Sequence, residues 1–322
     1  MPGLSQQLII LLSTPVYVVI IGFEILASNY QAKKGSGGKY TVKNVLTNIS
    51  LSLLNASLDI ALRGFIFMIL GACYLHGFYH ADPTPIYWLS LLIAEDFLFY
   101  WLHRFDHQVR LFWAVHVTHH SSELMNLTVG FRSSVFQPFY RFIYFIPLTF
   151  FGFRPEDIMV MYSATQIWGI LVHTEMIDKL GWLEYILVTP SHHRVHHASN
   201  NLYLDKNLGM FLITWDKLFG TFQAELKADE YQPIKYGLTK PLENDGLINT
   251  VFHEWTAIGK DLKREDASFK DKLGYLFGPP GWSHDGSSKT SDQLRLEEEL
   301  SVPIRNYRPS YKVQSSESCD KL

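Results

Sequence analysis

Residues 8–27, LIILLSTPVYVVIIGFEILA, form a nearly unbroken apolar run of twenty positions with one charge, Glu24. A helix rises about 1.5 Å per residue, so twenty residues cross a hydrocarbon core of roughly 30 Å. The pattern predicts a membrane span rather than a buried core helix. A second apolar stretch covers 64–79, preceded by Asp59 and Arg63 at i and i+4, where they can pair on one helix face. Residues 44–62 are expected as an interfacial helix or as an extension of that span. The third stretch, PIYWLSLLIAEDFLFYWLHRFDH (85–107), begins apolar and ends in acid and histidine. Two shorter apolar segments, 135–153 and 157–173, follow as a hairpin around FRPED, either two full spans or a shallow re-entrant pair.

Loop charge orients these segments. QAKKGSGGKYTVK (31–43) carries four lysines, whereas HGFYHADPTP (76–85) carries neither lysine nor arginine. By the positive-inside rule the first loop is cytoplasmic and the second lies across the membrane. The third span then returns His103 and His107 to the cytoplasmic side, and the hairpin returns His173 to the same side. After about residue 222 the chain turns soluble. The expected organisation is an N-terminal transmembrane region (1–84), a histidine-bearing unit with its own membrane segments (85–225), a cytoplasmic C-terminal region (226–283) and a mobile tail (284–322). Within the tail only DQLRLEEEL suggests a helix. The start, MPGLSQQ, lacks the basic segment of a secretory signal, so the first apolar run is expected to stay in the mature protein.

Composition supports lipid contact. Of 322 residues, 47% are hydrophobic and 15% aromatic, and only 18% are charged, below the quarter usual in soluble domains. A net charge of −3 and the absence of a Gly-rich phosphate loop argue against a nucleic-acid partner. Cys73 and Cys319 form no CxxC, which speaks against a disulfide framework or a zinc–thiolate site.

The chemistry concentrates in three short windows. HRFDH places His103 and His107 at i, i+4. HVTHH places His116, His119 and His120 at i, i+3, i+4, and HRVHH repeats that spacing with His193, His196 and His197. On a helix these intervals put the imidazoles on one face. One such cluster could be a solvated patch or a pH sensor; three on one membrane face point to metal. Imidazole suits zinc, copper, iron and nickel, and a tetrahedral zinc takes four ligands. Eight therefore suggest two octahedral-type ions with positions left open for oxygen. His173, in LVHTE, is a candidate ninth ligand, and His192 would point off the ligand face into a structural role. HEWTA at His253 lacks the second histidine of HExxH, so a zincin site is excluded. Asp96 lies two turns before His103 on the same face and is expected to accept a hydrogen bond from a ligand imidazole. Glu95 is expected to face Arg104 or water, and Asp106 and Glu123 are expected on the surface. Trp101, Phe105, Phe112 and Trp113 are candidates for either tunnel walls or interfacial anchors.

At these residues the chain resembles the fatty acid hydroxylase/sterol desaturase superfamily of membrane di-iron enzymes, through the order HxxxH, HxxHH, HxxHH over roughly residues 85–225. FWAVHVTHHSSELMNLTVGFRSS, LVHTEMIDKLGWLEYILVTPSHHRVHHASNN, DKNLGMFLITWDKLFGTFQAE and the later LFGPPGW (276–282) are most similar to the branch that oxidises alkylglycerols. Gln108 stands where that branch is expected to carry glutamate. The resemblance implies an all-α fold: multi-pass transmembrane helices capped by a cytoplasmic helical histidine-rich di-metal domain. It implies two iron ions on His103, His107, His116, His119, His120, His193, His196 and His197. O2 would be the co-substrate, a lipid C–H bond would be oxidised, and the ether bond of an alkylglycerol would then break. Tetrahydrobiopterin is the implied electron donor. The implied location is a multi-pass membrane protein of the bacterial cytoplasmic membrane or endoplasmic reticulum, its site on the cytoplasmic face. A sterol or fatty acyl desaturase or hydroxylase of the same superfamily is the alternative. A non-enzymatic metal transporter or sensor is the alternative of another class; a transporter would place its ligands near mid-span rather than at segment ends.

Overall fold

The computed structural model describes residues 3–33, 40–80 and 82–301. Its regular structure is helical, and among the described residues there is no strand, only two isolated bridges, Leu187 to Leu212 and Ala198 to Tyr236. Helix α1 spans Gly3–Lys33 and α2 spans Val42–Leu75. Helix α3 covers Pro85–Gln108 and α4 covers Arg110–His120. Local chemistry sets these starts. Thr41 accepts from the Asn44 amide and Thr84 from the Tyr87 amide, and Pro85 occupies a first-turn position where its missing N–H costs nothing.

Helix α2 is continuous for 34 residues, so 44–62 is one helix with the apolar stretch after it rather than a separate interfacial helix. Helices α2 and α3 are long and apolar enough to cross a membrane, and α1 adds the shorter apolar stretch Pro15–Tyr30. Their outward faces expose Leu53, Ile60, Met68 and Leu89. The first arm of the expected hairpin is broken. It comprises α5 (Pro138–Arg141), a 3-10 turn (Phe142–Phe145) and α6 (Ile146–Phe150). Pro138 and Pro147 lack the N–H that one continuous helix would need there. The second arm, α7 (Pro155–Leu171), is a single helix of 17 residues.

An apolar cluster joins α2 (Ile66, Leu70), α3 (Tyr87, Leu91), the α5–α6 segment (Phe145, Leu148) and α7 (Ile158). It occupies the C-terminal half of α2 and the N-terminal halves of α3 and α7. The histidines collect at the opposite ends of α3 and α7. There Glu24, the lone charge of the first apolar run, is buried and accepts from Tyr40, from the Leu127 amide and from Thr174, one residue past His173.

The remaining helices are α8 (Pro190–His196), α9 (Thr214–Phe219), α10 (Leu247–Leu262), α11 (Phe269–Phe277) and α12 (Ser291–Ser301). Helix α12 falls within the stretch expected to be a mobile tail. It packs on the domain: Arg295 donates to the Leu204 carbonyl, and Glu298 accepts from Tyr231 at 3.0 Å. The DQLRLEEEL pattern foretold this helix; residues 302–322 lie outside the described part.

Candidate metal centre

The end of α3 presents His103 and His107 one turn apart. Val109, in an extended conformation, breaks the helix there and lets α4 turn back with His116, His119 and His120. Helix α8 presents His193 and His196, His197 caps it, and His173 follows α7 by two residues. All nine imidazoles converge in two adjoining groups. His103, His107, His116, His120 and His196 form one, and His119, His173, His193 and His197 the other; within each, one nitrogen per ring lies within 4.8 Å of all the others. Rings of the two groups touch, His120 stacking on His197 with centroids 4.5 Å apart.

Hydrogen bonds fix the tautomers. The Nδ1 of His103 faces the Leu208 carbonyl at 2.7 Å, that of His196 the Lys206 carbonyl at 3.1 Å and that of His107 the Asp205 carboxylate at 3.0 Å. In the second group, Nδ1 of His119 faces the Arg132 carbonyl at 2.9 Å and that of His173 the Gly169 carbonyl at 2.7 Å. Such oxygens only accept, so these Nδ1 atoms carry a proton, and wherever the ring is neutral its Nε2 holds a bare lone pair. Yet Nε2 of His119 and Nε2 of His173 lie 3.3 Å apart, and neither has a proton to offer the other. Other Nε2 pairs stand at 2.9–3.2 Å, and the buried Nε2 atoms of His107 and His196 have no hydrogen-bond partner. Converging lone pairs repel unless a cation lies among them. Nitrogens about 2.1 Å from one ion are about 3.0 Å apart in adjacent octahedral positions, so the spacing suits a pair of metal ions. The donor set fits.

Burial favours the neutral form that a ligand needs at seven of these rings. It pushes His119 down to about 4 and holds His116, His120, His173, His193, His196 and His197 well below the ordinary 6.5. The unfolded chain takes up protons below about 6.5 while the folded chain does not, so falling pH favours unfolding. Chelator-treated protein should show a constant thermal midpoint above about pH 7 and a falling one as pH drops from 6.5 toward 4. A midpoint flat over that window in a melting series would contradict this burial.

One loop orients three of the five rings in the first group. Asp205 (through its carboxylate) and Lys206 and Leu208 (through their carbonyls) serve His107, His196 and His103 in turn. Asp205 and Asn207 adopt positive φ, 55° and 53°, a region that Asp and Asn tolerate better than other side-chain-bearing residues. Asn207 ties the loop to the His192 carbonyl and to both backbone groups of Gln223. Asp216 accepts from the Leu208 and Gly209 amides at 2.7 and 2.8 Å and from Thr221. A methyl group at Gly209 would stand 2.7 Å from the Leu212 carbonyl oxygen, so the loop closes only on glycine.

Asp96 contacts this loop rather than an imidazole. Its carboxylate accepts from the Phe211 and Leu212 amides and from the Trp215 indole, at 2.9–3.0 Å. Two helical turns separate it from His103 by about 10 Å along the axis, too far for a direct bond. Asp106, expected on the surface, is fully buried; it accepts from Tyr140 and Gln137 and lies 3.8 Å from Nδ1 of His116. Glu95 faces neither Arg104 nor water but lies buried, accepting from Thr165. Glu123 is exposed, as expected. Of the aromatic candidates only Trp113 touches the histidines, its ring 5.2 Å from His107 and 5.5 Å from His120. Asp205, Asn207 and Asp216 were not singled out in the sequence. The available signal was the turn-forming Asp–Lys–Asn–Leu–Gly run (205–209), eight residues past the third histidine cluster.

Arg194, between the histidine pairs of SHHRVHH, is buried and joins the loop after His173 to the third cluster. Its guanidinium donates to the carbonyls of Thr174, Ile177 and Asp178 and to the Glu225 carboxylate. His192 packs with Thr189 and lies 3.3 Å from Glu184, outside both groups. Arg194→Ala removes a buried guanidinium from the half-buried Glu225 and three carbonyls, and should lower stability by about 3 kcal/mol. A thermal shift below that of a surface arginine control would contradict this role.

A family profile described as fatty acid hydroxylase matches residues 88–221. Human alkylglycerol monooxygenase is 35% identical over 292 residues, 89% of this chain and 62% of that protein. The Xenopus tropicalis protein of the same name is 34% identical over 76% of this chain and 54% of its own length. Ornithine lipid hydroxylase of Rhizobium tropici is 32% identical over 45% of this chain and 46% of its own. The chain thus spans about three fifths or less of the alkylglycerol monooxygenases it matches. No solved structure matches it.

Proposed function

We propose, from the premise that residues 88–221 are a fatty acid hydroxylase domain with alkylglycerol monooxygenases among its relatives, that this chain is a membrane lipid monooxygenase with a non-haem iron centre. One ion would sit among His103, His107, His116, His120 and His196, the other among His119, His173, His193 and His197. The observation that carries the reading is the pair His119 and His173, whose proton-free nitrogens face each other in a buried site. Bound iron would supply the O2-activating redox chemistry that no side chain here provides. The protein's own part is to hold neutral ligands in fixed orientation, through Asp205 and the carbonyls of Arg132, Gly169, Lys206 and Leu208, and to exclude bulk water by burial.

The substrate we infer is an ether lipid of the alkylglycerol type, oxidised at the carbon beside the ether oxygen. The resulting hemiacetal would collapse to an aldehyde and a glycerol lipid, with tetrahydrobiopterin as donor. We place the chain as a multi-pass protein with its histidines on the cytoplasmic face, in a bacterial cytoplasmic membrane or endoplasmic reticulum. The lysine-rich 31–43 loop and the gathering of all nine rings at one end of α3 and α7 support this orientation. We divide the chain into an N-terminal transmembrane region (1–84), a histidine-bearing hydroxylase-like unit (85–225) and a cytoplasmic C-terminal region (226–283). Similarity to a Gibberella zeae sterol 5(6)-desaturase, 27% identical over half of each chain, supports desaturation as the second reading.

Purified protein should contain about two irons per chain and, given alkylglycerol, 18O2 and reductant, release an aldehyde carrying one labelled oxygen. A product lighter by two hydrogens and free of label favours the desaturase. Absence of bound transition metal rejects both.

A further inference from the structure

We propose that α10 lies on the cytoplasmic leaflet of the bilayer that the chain spans, with Ile248, Phe252 and Trp255 seated among acyl chains just below the headgroups. This placement holds whatever reaction the histidines perform. At 3.6 residues per turn, α10 has three faces. Leu247, Val251 and Ile258 turn inward, Val251 packing with Leu51 of α2 and with Val135. His253, Glu254, Ala257 and Asp261 face a cavity bordered by His107, His120 and His196, where Glu254 and Asp261 hold Arg110. Ile248, Phe252 and Trp255, at i, i+4 and i+7, form the third face, with Ile248 77% and Phe252 45% exposed.

Single exposed apolar side chains are ordinary, but this stripe continues into the surface of the spans. The Phe136 ring lies 5.8 Å from Phe252, 6.3 Å from Trp255 and 6.4 Å from Phe139, which is itself exposed on α5. Helix α5 packs against α2 and is tied to it by the ion pair of Arg141 with Asp59. On α2, the outward positions Leu46, Ile49 and Leu53 are exposed and apolar at the level of α10.

The length of α2 sets the depth. Its 34 residues extend about 51 Å, whereas the hydrocarbon core is about 30 Å thick. Measured back from Leu75, beside the loop without lysine or arginine, the core ends at about residue 55. Residues 42–54 therefore stand at headgroup depth, and α10 is fixed to this stretch. Lys43 pairs with Asp245, the residue before the α10 N-cap, and Leu51 touches Val251. An amphipathic helix at that depth buries its apolar stripe in the leaflet, and the exposed Lys260 at the edge of the stripe keeps its ammonium among the headgroups. Lipid is favoured over a second copy of the chain because the stripe runs into a surface that lipid already covers. Leaflet and cavity then share α10 as their common wall.

The test uses full-length protein in phosphatidylcholine vesicles. With Cys73→Ala and Cys319→Ala as background, a fluorophore is attached at Ile248→Cys or Phe252→Cys, at Met68→Cys on the outward face of α2, and at Asp229→Cys in an exposed loop. Labels at 248 and 252 should be quenched most by nitroxide lipids labelled near the headgroup, and the label at 68 most by those labelled near the chain end. Aqueous iodide should quench the label at 229 at least about fivefold more than those at 248 and 252. Equal iodide quenching at all three overturns the inference. Shielding from both iodide and nitroxide lipid also overturns it, and energy transfer between copies that fades as protein is diluted in the vesicle then names a second copy as the occupant. Unlabelled wild-type protein gives an independent reading. A phospholipid with a photoactivatable group near its headgroup should cross-link within 248–255, and cross-links on 46–54 of α2 without any on α10 reject the placement.

Discussion

Replacing His173 by alanine should abolish lipid oxidation and remove iron from the protein. His173 links its group: its Nε2 lies 2.9, 3.1 and 3.3 Å from the Nε2 atoms of His193, His197 and His119. Loss of a group that merely orients a ligand costs about 10- to 100-fold in metal affinity or activity, so loss of a ligand should exceed 100-fold. His192 is the internal control. It neighbours His193 in sequence, yet it bonds to Thr189 and Glu184, and His192→Ala should keep its iron. Iron analysis and O2 uptake read both variants. Full iron and turnover in His173→Ala would end the two-ion assignment.

Asp216→Ala should have the second-largest effect, although Asp216 touches no histidine. It leaves the Leu208 and Gly209 amides and the Thr221 hydroxyl without their acceptor in a fully buried position. Each stranded donor costs about 1–3 kcal/mol, so a loss of roughly 3–9 kcal/mol is expected. The His103 ring would lose its orientation with the Leu208 carbonyl, and iron content should fall with stability. Asp216→Asn retains one acceptor and should lie between. A melting temperature and iron content equal to wild type in Asp216→Ala would show that the loop holds its shape without this carboxylate.

Much of this was readable before any coordinates. Period and length predicted α3 to within a residue, because PIYWLSLLIAEDFLFYWLHRFDH is bounded by Thr–Pro at one end and histidine at the other. Eight of the nine histidines are legible from spacing, since i, i+3 and i+4 place rings on one helix face whatever the fold; His173 stands alone in LVHTE and is marked only by its place at the end of an apolar segment. The partners of those rings were not readable. Leu208 and Lys206 act through backbone carbonyls, which any residue possesses. The fate of Asp106 depended on Tyr140 and Gln137, more than thirty residues away. Asp96 lay on the expected face but reaches residues 211–215, because burial of a carboxylate selects whichever N–H groups the tertiary structure delivers. The broken 135–153 arm was legible in principle, as Pro138 and Pro147 stand inside it. An apolar average over the segment conceals both.

The loop that serves His107, His196 and His103 has a thermodynamic consequence. On the two-ion proposal, three ligands of one ion would hang from four consecutive residues, so any disturbance of that loop would reach all three together. A double-mutant cycle between Asn207→Ala and Asp216→Ala should be strongly sub-additive, the second change adding little once the first has released the turn. The other ion would answer to different supports, the Arg132 and Gly169 carbonyls on separate elements. Under graded chelation the two irons should therefore leave in two resolved steps, and a loop variant should shift one step while leaving the other in place.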